Sequence, residues 1–282
     1  MNPAYLIAGL GSVLFGAADL SGGIAAKRAA AVTVTLFSGL PALLVLALGF
    51  TLMPGHATPE ALAWGAAGGA CGGIGAMLLY RALAIGPVSV ASPVLCVTGL
   101  AIPVVVGLAL GERPGPLAIA GLVLAPLSIV LLAQTDASLG EDERRRVRRV
   151  IVPALVAGLV VGLFLLFLGR VPAGSGLVPL LLARVIGMVA LAIWAMAQRV
   201  ALVPPRVALR ATVAAGMLDS AANVAYVFAV QRGTLSLVAA LVSLSPATSV
   251  LLARLLLGER WSGLQRVGFA AALVSGALIS LG

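Results

Sequence analysis

Ionisable residues are scarce in this chain. Of 282 residues only 10% are charged, and Asp and Glu together number nine. A soluble domain carries about 25% charged residues, so a water-facing fold of this size is excluded. Histidine occurs once, as His56, and a lone imidazole cannot build a zinc site. There is no His-Glu-x-x-His pair, no paired catalytic cysteine and no phosphate loop. Serine stands beside an acid at Asp219-Ser220, but no base lies near it within the same run. Neither a catalytic residue nor a metal or cofactor is therefore expected, and the chain reads as no enzyme. Cysteine occurs twice, as Cys71 and Cys96, each inside an apolar stretch. These read as small packing residues rather than as a disulfide framework.

What fills the chain instead is apolar: 61% hydrophobic residues and a mean hydropathy of +1.16. A spanning helix needs about 20 apolar residues. Ten such runs are expected, at 4–24, 33–52, 61–81, 87–110, 115–134, 151–168, 177–197, 211–231, 234–257 and 263–281. They are too long and too unalternating for barrel strands, and in lipid the helix satisfies every backbone polar group within its own segment. The first run begins near Pro3 without a basic leader and is long enough to span, so a cleaved signal is not expected.

One interruption is long and hydrophilic, from Gln134 to Arg149. It separates a first half, 1–134, from a second, 151–282, with 135–150 as a charged linker. The halves repeat one another. Gly86 and Gly233, Ser89 and Ser236, and Gly111-Glu112-Arg113 and Gly258-Glu259-Arg260 are each 147 residues apart. A fixed period marks two copies of one unit, and five helices per copy force the copies to insert with opposite orientation. The expected fold class is all-α integral membrane, ten transmembrane helices as two inverted five-helix repeats. Gly65, Gly68-Gly69 and Gly72-Gly73 on the third run, and Gly9, Gly11 and Gly16 on the first, offer small faces for close helix approach.

The net charge of +9 does not indicate nucleic acid, because the basic residues sit at run ends, where they set topology and meet anionic headgroups. Let side A hold both termini. Fourteen of the eighteen basic residues then fall on side B, the Arg144–Arg149 cluster among them. Side A has Arg113, Arg170 and Arg232, and Arg184 lies within a run. Side B is expected to be cytoplasmic, with both termini outside. Trp64, Trp194 and Trp261 near run ends read as interface anchors.

In the second copy the motif reads Gly233-Thr-Leu-Ser236, then Ser245-Pro246, then Leu255-Leu-Leu-Gly258-Glu259-Arg260; the first reads Gly86-Pro-Val-Ser89-Val-Ala-Ser92-Pro93, then Gly111-Glu112-Arg113. On these residues the chain resembles the drug/metabolite transporter superfamily, in its EamA-type ten-helix members. Gly99 stands where the second copy has Pro246, so the kinks of the fourth and ninth helices are expected at different heights. The resemblance implies a solute carrier of a bacterial-type inner membrane that exports metabolites, amino acids or drugs. It implies a central cavity lined by helices three, four, eight and nine. Helices one, two, six and seven would rock around it, with five and ten at the periphery. Its partners would be a small solute and the bilayer, with no nucleic acid and a monomer as the expected state.

Charges within a membrane are costly and mark function by default. Asp219, Asn223 and Tyr226 share one face of the eighth run, and this face either meets solute or locks the helix to a neighbour. Arg184 enters the seventh run to a comparable depth; it either pairs with Asp219 or binds a substrate carboxylate. Asp19, near the cytoplasmic end of the first run, is a gating or proton-coupling candidate, with Arg81, Lys27 or Arg28 as its expected partner. Tyr80, Met77, Ser89, Ser92, Ser243 and Ser245 are candidate cavity-lining residues. The sparse polarity favours amphipathic metabolites, hydrophobic or aromatic amino acids first, over sugars. The alternatives are a drug or other metabolite efflux carrier and, in other classes, a channel or an intramembrane enzyme.

Overall fold

A computed structural model of the chain describes residues 3–56, 58–85, 88–132, 141–257 and 262–281. Among these residues every regular element is helical: α1 (Pro3–Ala26), α2 (Ala31–Leu52), α3 (Pro59–Ile85), α4 (Val88–Ala109), α5 (Pro116–Leu132), α6 (Glu141–Gly169), α7 (Val178–Ala197), α8 (Arg206–Val230), α9 (Leu235–Val242), α10 (Ser245–Leu257) and α11 (Gly263–Leu281). Among the described residues nine spans are long and apolar enough to cross a membrane, and Pro116–Leu131 is a shorter apolar helix. The molecule is a multi-pass membrane protein. Gly86, the Gly258-Glu259-Arg260 motif, Trp261 and 133–140 of the linker lie outside the described residues.

Two boundaries depart from the hydropathy reading. The sixth helix begins at Glu141, ten residues before the apolar run, because a charged segment can extend a helix into the headgroup layer where apolarity no longer marks it. The ninth run is two helices. Ser243 and Leu244 interrupt it, and Pro246 lies in the first turn of α10. A proline there has no N–H to give the carbonyl of Val242 and crowds the preceding turn. By contrast α4 carries Pro93 and Pro103 within one unbroken helix.

The contacts fix the direction of each helix. Tyr5 lies by Gly233 and Gly11 by Ala222 and Ala225, so α1 runs against α8. Ser38 meets Gly216, Ala42 accepts from Ser220, and Gly49 meets Val224, so α8 runs along α2. Gly39 faces Met188 and Gly49 faces Leu177, which sets α2 against α7. Gly65, Gly69 and Gly73 lie in step on Pro179, Ala183 and Gly187, so α7 parallels α3. Gly75, Gly72 and Gly68 meet Val161, Phe164 and Leu168, so α3 opposes α6. Hence α6 points opposite to α1, α7 to α2 and α8 to α3. The first three helices of one half thus run opposite to the first three of the other, as an inverted repeat requires.

Exchanging the halves also maps the packing onto itself. The α1–α8 and α3–α6 contacts correspond, as do α3–α7 and α2–α8, while α5 and α11 pack on each other. Small residues make this possible, since burial of apolar surface cannot drive association in lipid and close backbone approach must. A Cβ at Gly73 would meet the Gly187 backbone at 2.8 Å. Gly9 differs from the expectation: nothing lies within 4 Å of its side, so it faces away from the helices α1 packs on.

A central cavity and its two ends

A cavity of about 100 Å³ lies between the halves. At about 10–15 Å³ per water, it holds several waters or a small solute. Residues from α1, α2, α3, α4, α6, α7, α8 and the α9–α10 break line it. α5 and α11 contribute none of its lining. The wall is thus wider than the four helices expected, and α7 supplies more of it than any other helix, from Leu180 to Leu191. The reason is the glycine ladder of α3, which draws α7 in beside it.

Three charged side chains reach the cavity: Asp19, Arg184 and Asp219. Arg184 Nη2 is ion-paired with Asp219 Oδ2, the side chains being 15% and 24% exposed. Two charges desolvated together offset each other, whereas removing either strands the other. Asn223, one turn along α8, is buried and donates from Nδ2 to the Asp219 carbonyl at 2.8 Å and to Asp219 Oδ1 at 3.3 Å. Its own Oδ1 accepts no hydrogen bond.

Asp19 is 6% exposed. Ser92 Oγ donates to its Oδ2 at 3.2 Å. No described basic side chain lies within ion-pair distance of it; Lys27, Arg28 and Arg81 are exposed. The expected ion pair at the end of α1 is therefore absent: Asp19 turns inward, away from the surface where those side chains end.

Ser243 and Ser245 line the cavity at the break between α9 and α10. Ser245 Oγ lies 3.6 Å from Cys96 Sγ of α4, a contact across the halves. Gly16 lets α1 approach the same break, where Ser249 Oγ donates to its carbonyl at 3.0 Å. Four other expected lining residues lie behind the wall. Ser92 backs Asp19. Met77 packs toward Val32, Leu191 and Ala195. Tyr226 shares a face with Asp219, but it stands two turns nearer the helix end, where α6 closes on it, and its hydroxyl donates to the Leu165 carbonyl at 2.7 Å. Tyr80 is buried against Gly22. The Ser89 side chain lies outside the described residues. Ser220 is engaged in packing, donating to Ala42 O at 3.1 Å. Phe164, Leu79 and Met188 were not anticipated as lining; an apolar side chain facing a cavity carries no sequence signal that separates it from one facing lipid.

Matching tyrosine–glycine contacts lie toward the two sides of the molecule. Tyr226 lies by Gly169 of α6 on side A, and Tyr80 lies by Gly22 of α1 on side B. The glycines are 147 residues apart and the tyrosines one fewer. Loops join across each end. On side A, His56 N–H donates to Gly174 O at 3.1 Å. On side B, Arg28 Nη1 donates to Val207 O at 3.1 Å and Thr33 Oγ1 donates to Ala201 O. Side A has a further clamp. Leu235 N–H and Ser236 N–H donate to the two Glu112 carboxylate oxygens at 2.7 and 2.9 Å. A carboxylate at a helix N-terminus satisfies orphan donors and meets the positive end of the helix dipole. Glu112 of the first Gly-Glu-Arg motif thus caps α9 of the opposite half.

Residues 148–281 match the EamA-like transporter family. No curated protein matches the chain. A crystal structure at 19% identity aligns with TM-score 0.76 over 99% of this chain and 99% of its own, so the whole fold recurs in a protein of solved structure.

Proposed function

We propose that this chain, whose residues 148–281 match the EamA-like transporter family, is a secondary transporter working by alternating access. Its substrates are small amphipathic metabolites, amino acids with hydrophobic or aromatic side chains first among them, and it moves them outward across a bacterial-type inner membrane. Residues 1–134 and 151–282 are the two repeats, joined by 135–150. The observation that carries this reading is the cavity between halves whose leading helices run in opposite directions, with a charged pair in its wall. A binding space at the repeat interface, beside a broken helix, is the arrangement alternating access needs. The basic excess on side B supports a cytoplasmic side B and termini outside. The apolar wall from Phe15, Leu79, Phe164 and Met188 suits an aromatic or branched side chain.

Reconstituted protein tests this. Proteoliposomes loaded with unlabelled phenylalanine should take up labelled phenylalanine by saturable counterflow. Flux that does not saturate would make the protein a channel, and chemical conversion of the solute would make it an enzyme.

A further inference from the structure

The charges of the cavity do not balance. Arg184 is taken by Asp219. Asp19 remains, with a serine hydroxyl and no described cation beside it. Asn223, lining the same cavity, is held by its Nδ2 on Asp219 while its buried Oδ1 has no donor. An uncompensated carboxylate and an acceptor without a donor ask for the same thing: a cation that donates hydrogen bonds. The remaining wall is largely apolar. A solute carboxylate meets the opposite situation. At Arg184 it would have to share one guanidinium with Asp219, setting two carboxylates against a single cation where water is scarce and charge interactions are strong.

We infer that the cavity recognises the protonated amine of an apolar-bodied solute through Asp19 and Asn223 Oδ1, and that a solute carboxylate adds nothing to affinity. This rests on reading the cavity as the solute site. It ranks ligands in an order that an amino acid transporter need not show: amine without carboxylate first, the zwitterion level or behind, the carboxylate alone last.

The test uses the full chain in lipid nanodiscs at pH 7 and three probes of one shape: phenethylamine, phenylalanine and 3-phenylpropionate. Calorimetric binding should be at least as tight for phenethylamine as for phenylalanine, and about tenfold or more weaker for 3-phenylpropionate, the discrimination a hydrogen-bonded charge provides. Asp19→Asn, which keeps the size and an acceptor for Ser92, should weaken phenethylamine by about tenfold or more for the same reason. Asp219→Asn frees Arg184 and should strengthen 3-phenylpropionate. Equal binding of 3-phenylpropionate and phenethylamine to the wild type overturns the inference, as does Asp19→Asn with amine affinity intact. The wild-type ranking decides even if a variant fails to fold. Counterflow separates the two readings: phenylalanine counterflow with an unchanged Asp19→Asn variant keeps the carrier and removes the amine site, whereas Asp19-dependent amine binding without any counterflow keeps the amine site and removes the carrier.

Discussion

The two halves agree in how they pack and disagree in what they present to the cavity. Gly69 of α3 and Gly216 of α8 are 147 residues apart, and each admits a neighbouring backbone, that of α7 in one case and α2 in the other. Gly22 and Gly169 do the same for the two tyrosines. At cavity level the correspondence fails. Asp219 and Asn223 have Gly72 and Ala76 as their counterparts, and all four line the cavity. Phe37 stands at the position of Arg184, and Leu166 at that of Asp19. The helix crossings impose the same close approach on both copies, so small residues recur there. A bound solute has no two-fold symmetry of its own, so the residues facing it are free to diverge.

Four tests probe that contrast. The largest effect is expected from the asymmetric pair. Asp219→Ala leaves Arg184 without its counterion and should cost about 3 kcal/mol, as breaking a buried pair does. Melting in detergent measures it, with the Asp219→Ala, Arg184→Met double variant recovering most of the loss. The symmetric crossings come next. Gly69→Val and Gly216→Val should each cost about 2–3 kcal/mol by overpacking against backbone, and by similar amounts; a cost at one alone would break the equivalence. Gly72→Ala, at the divergent level, should cost about 1 kcal/mol, because a methyl there meets the Phe164 ring, which can shift. Smallest, Tyr226→Phe removes the hydrogen bond to Leu165 O and should cost about 1 kcal/mol or less, read as a lower melting temperature with the cavity unchanged.

Side A carries one further described contact between the halves. Both sides have a tyrosine on glycine and a loop bridge, but the Glu112 clamp on α9 is described on side A. The corresponding Glu259, and Gly86 and Pro87 ahead of α4 on side B, fall outside the described residues. Glu112 shows what a Gly-Glu-Arg motif can do: it joins the loop after one helix to the N-terminus of that helix's counterpart in the other half. A motif read as a family mark is also a tie between the halves.

Much of the fold was legible because lipid admits few solutions. Run length showed the helices, and the 147-residue period with an odd helix count showed the inversion. The Arg184–Asp219 pair was legible too, since two opposite charges at similar depth have little else to meet. Tyr226, Tyr80, Met77 and Ser92 were misplaced as lining, and the share of α7 in the wall was missed. On α2, Leu46 is 2% exposed while Leu44 and Leu48 on either side are 69% and 71% exposed. In water such neighbours would differ in polarity. In lipid both faces are apolar, and hydropathy cannot tell the inward from the outward one.

By itself, then, the sequence determined where the apolar spans lie, and its 147-residue period and odd run count pointed to two oppositely oriented copies. These follow from the cost of an unpaired backbone in hydrocarbon and from counting. The sequence recorded neither the start of α6 at Glu141 nor the split of the ninth run into α9 and α10. Only the tertiary structure decided which face of each helix meets the cavity, that Asp19 turns inward without a cation, and that Glu112 reaches across to α9. Those outcomes depend on the rotation of each helix about its axis. Close packing at glycines sets that rotation, and no pattern of apolar residues records it.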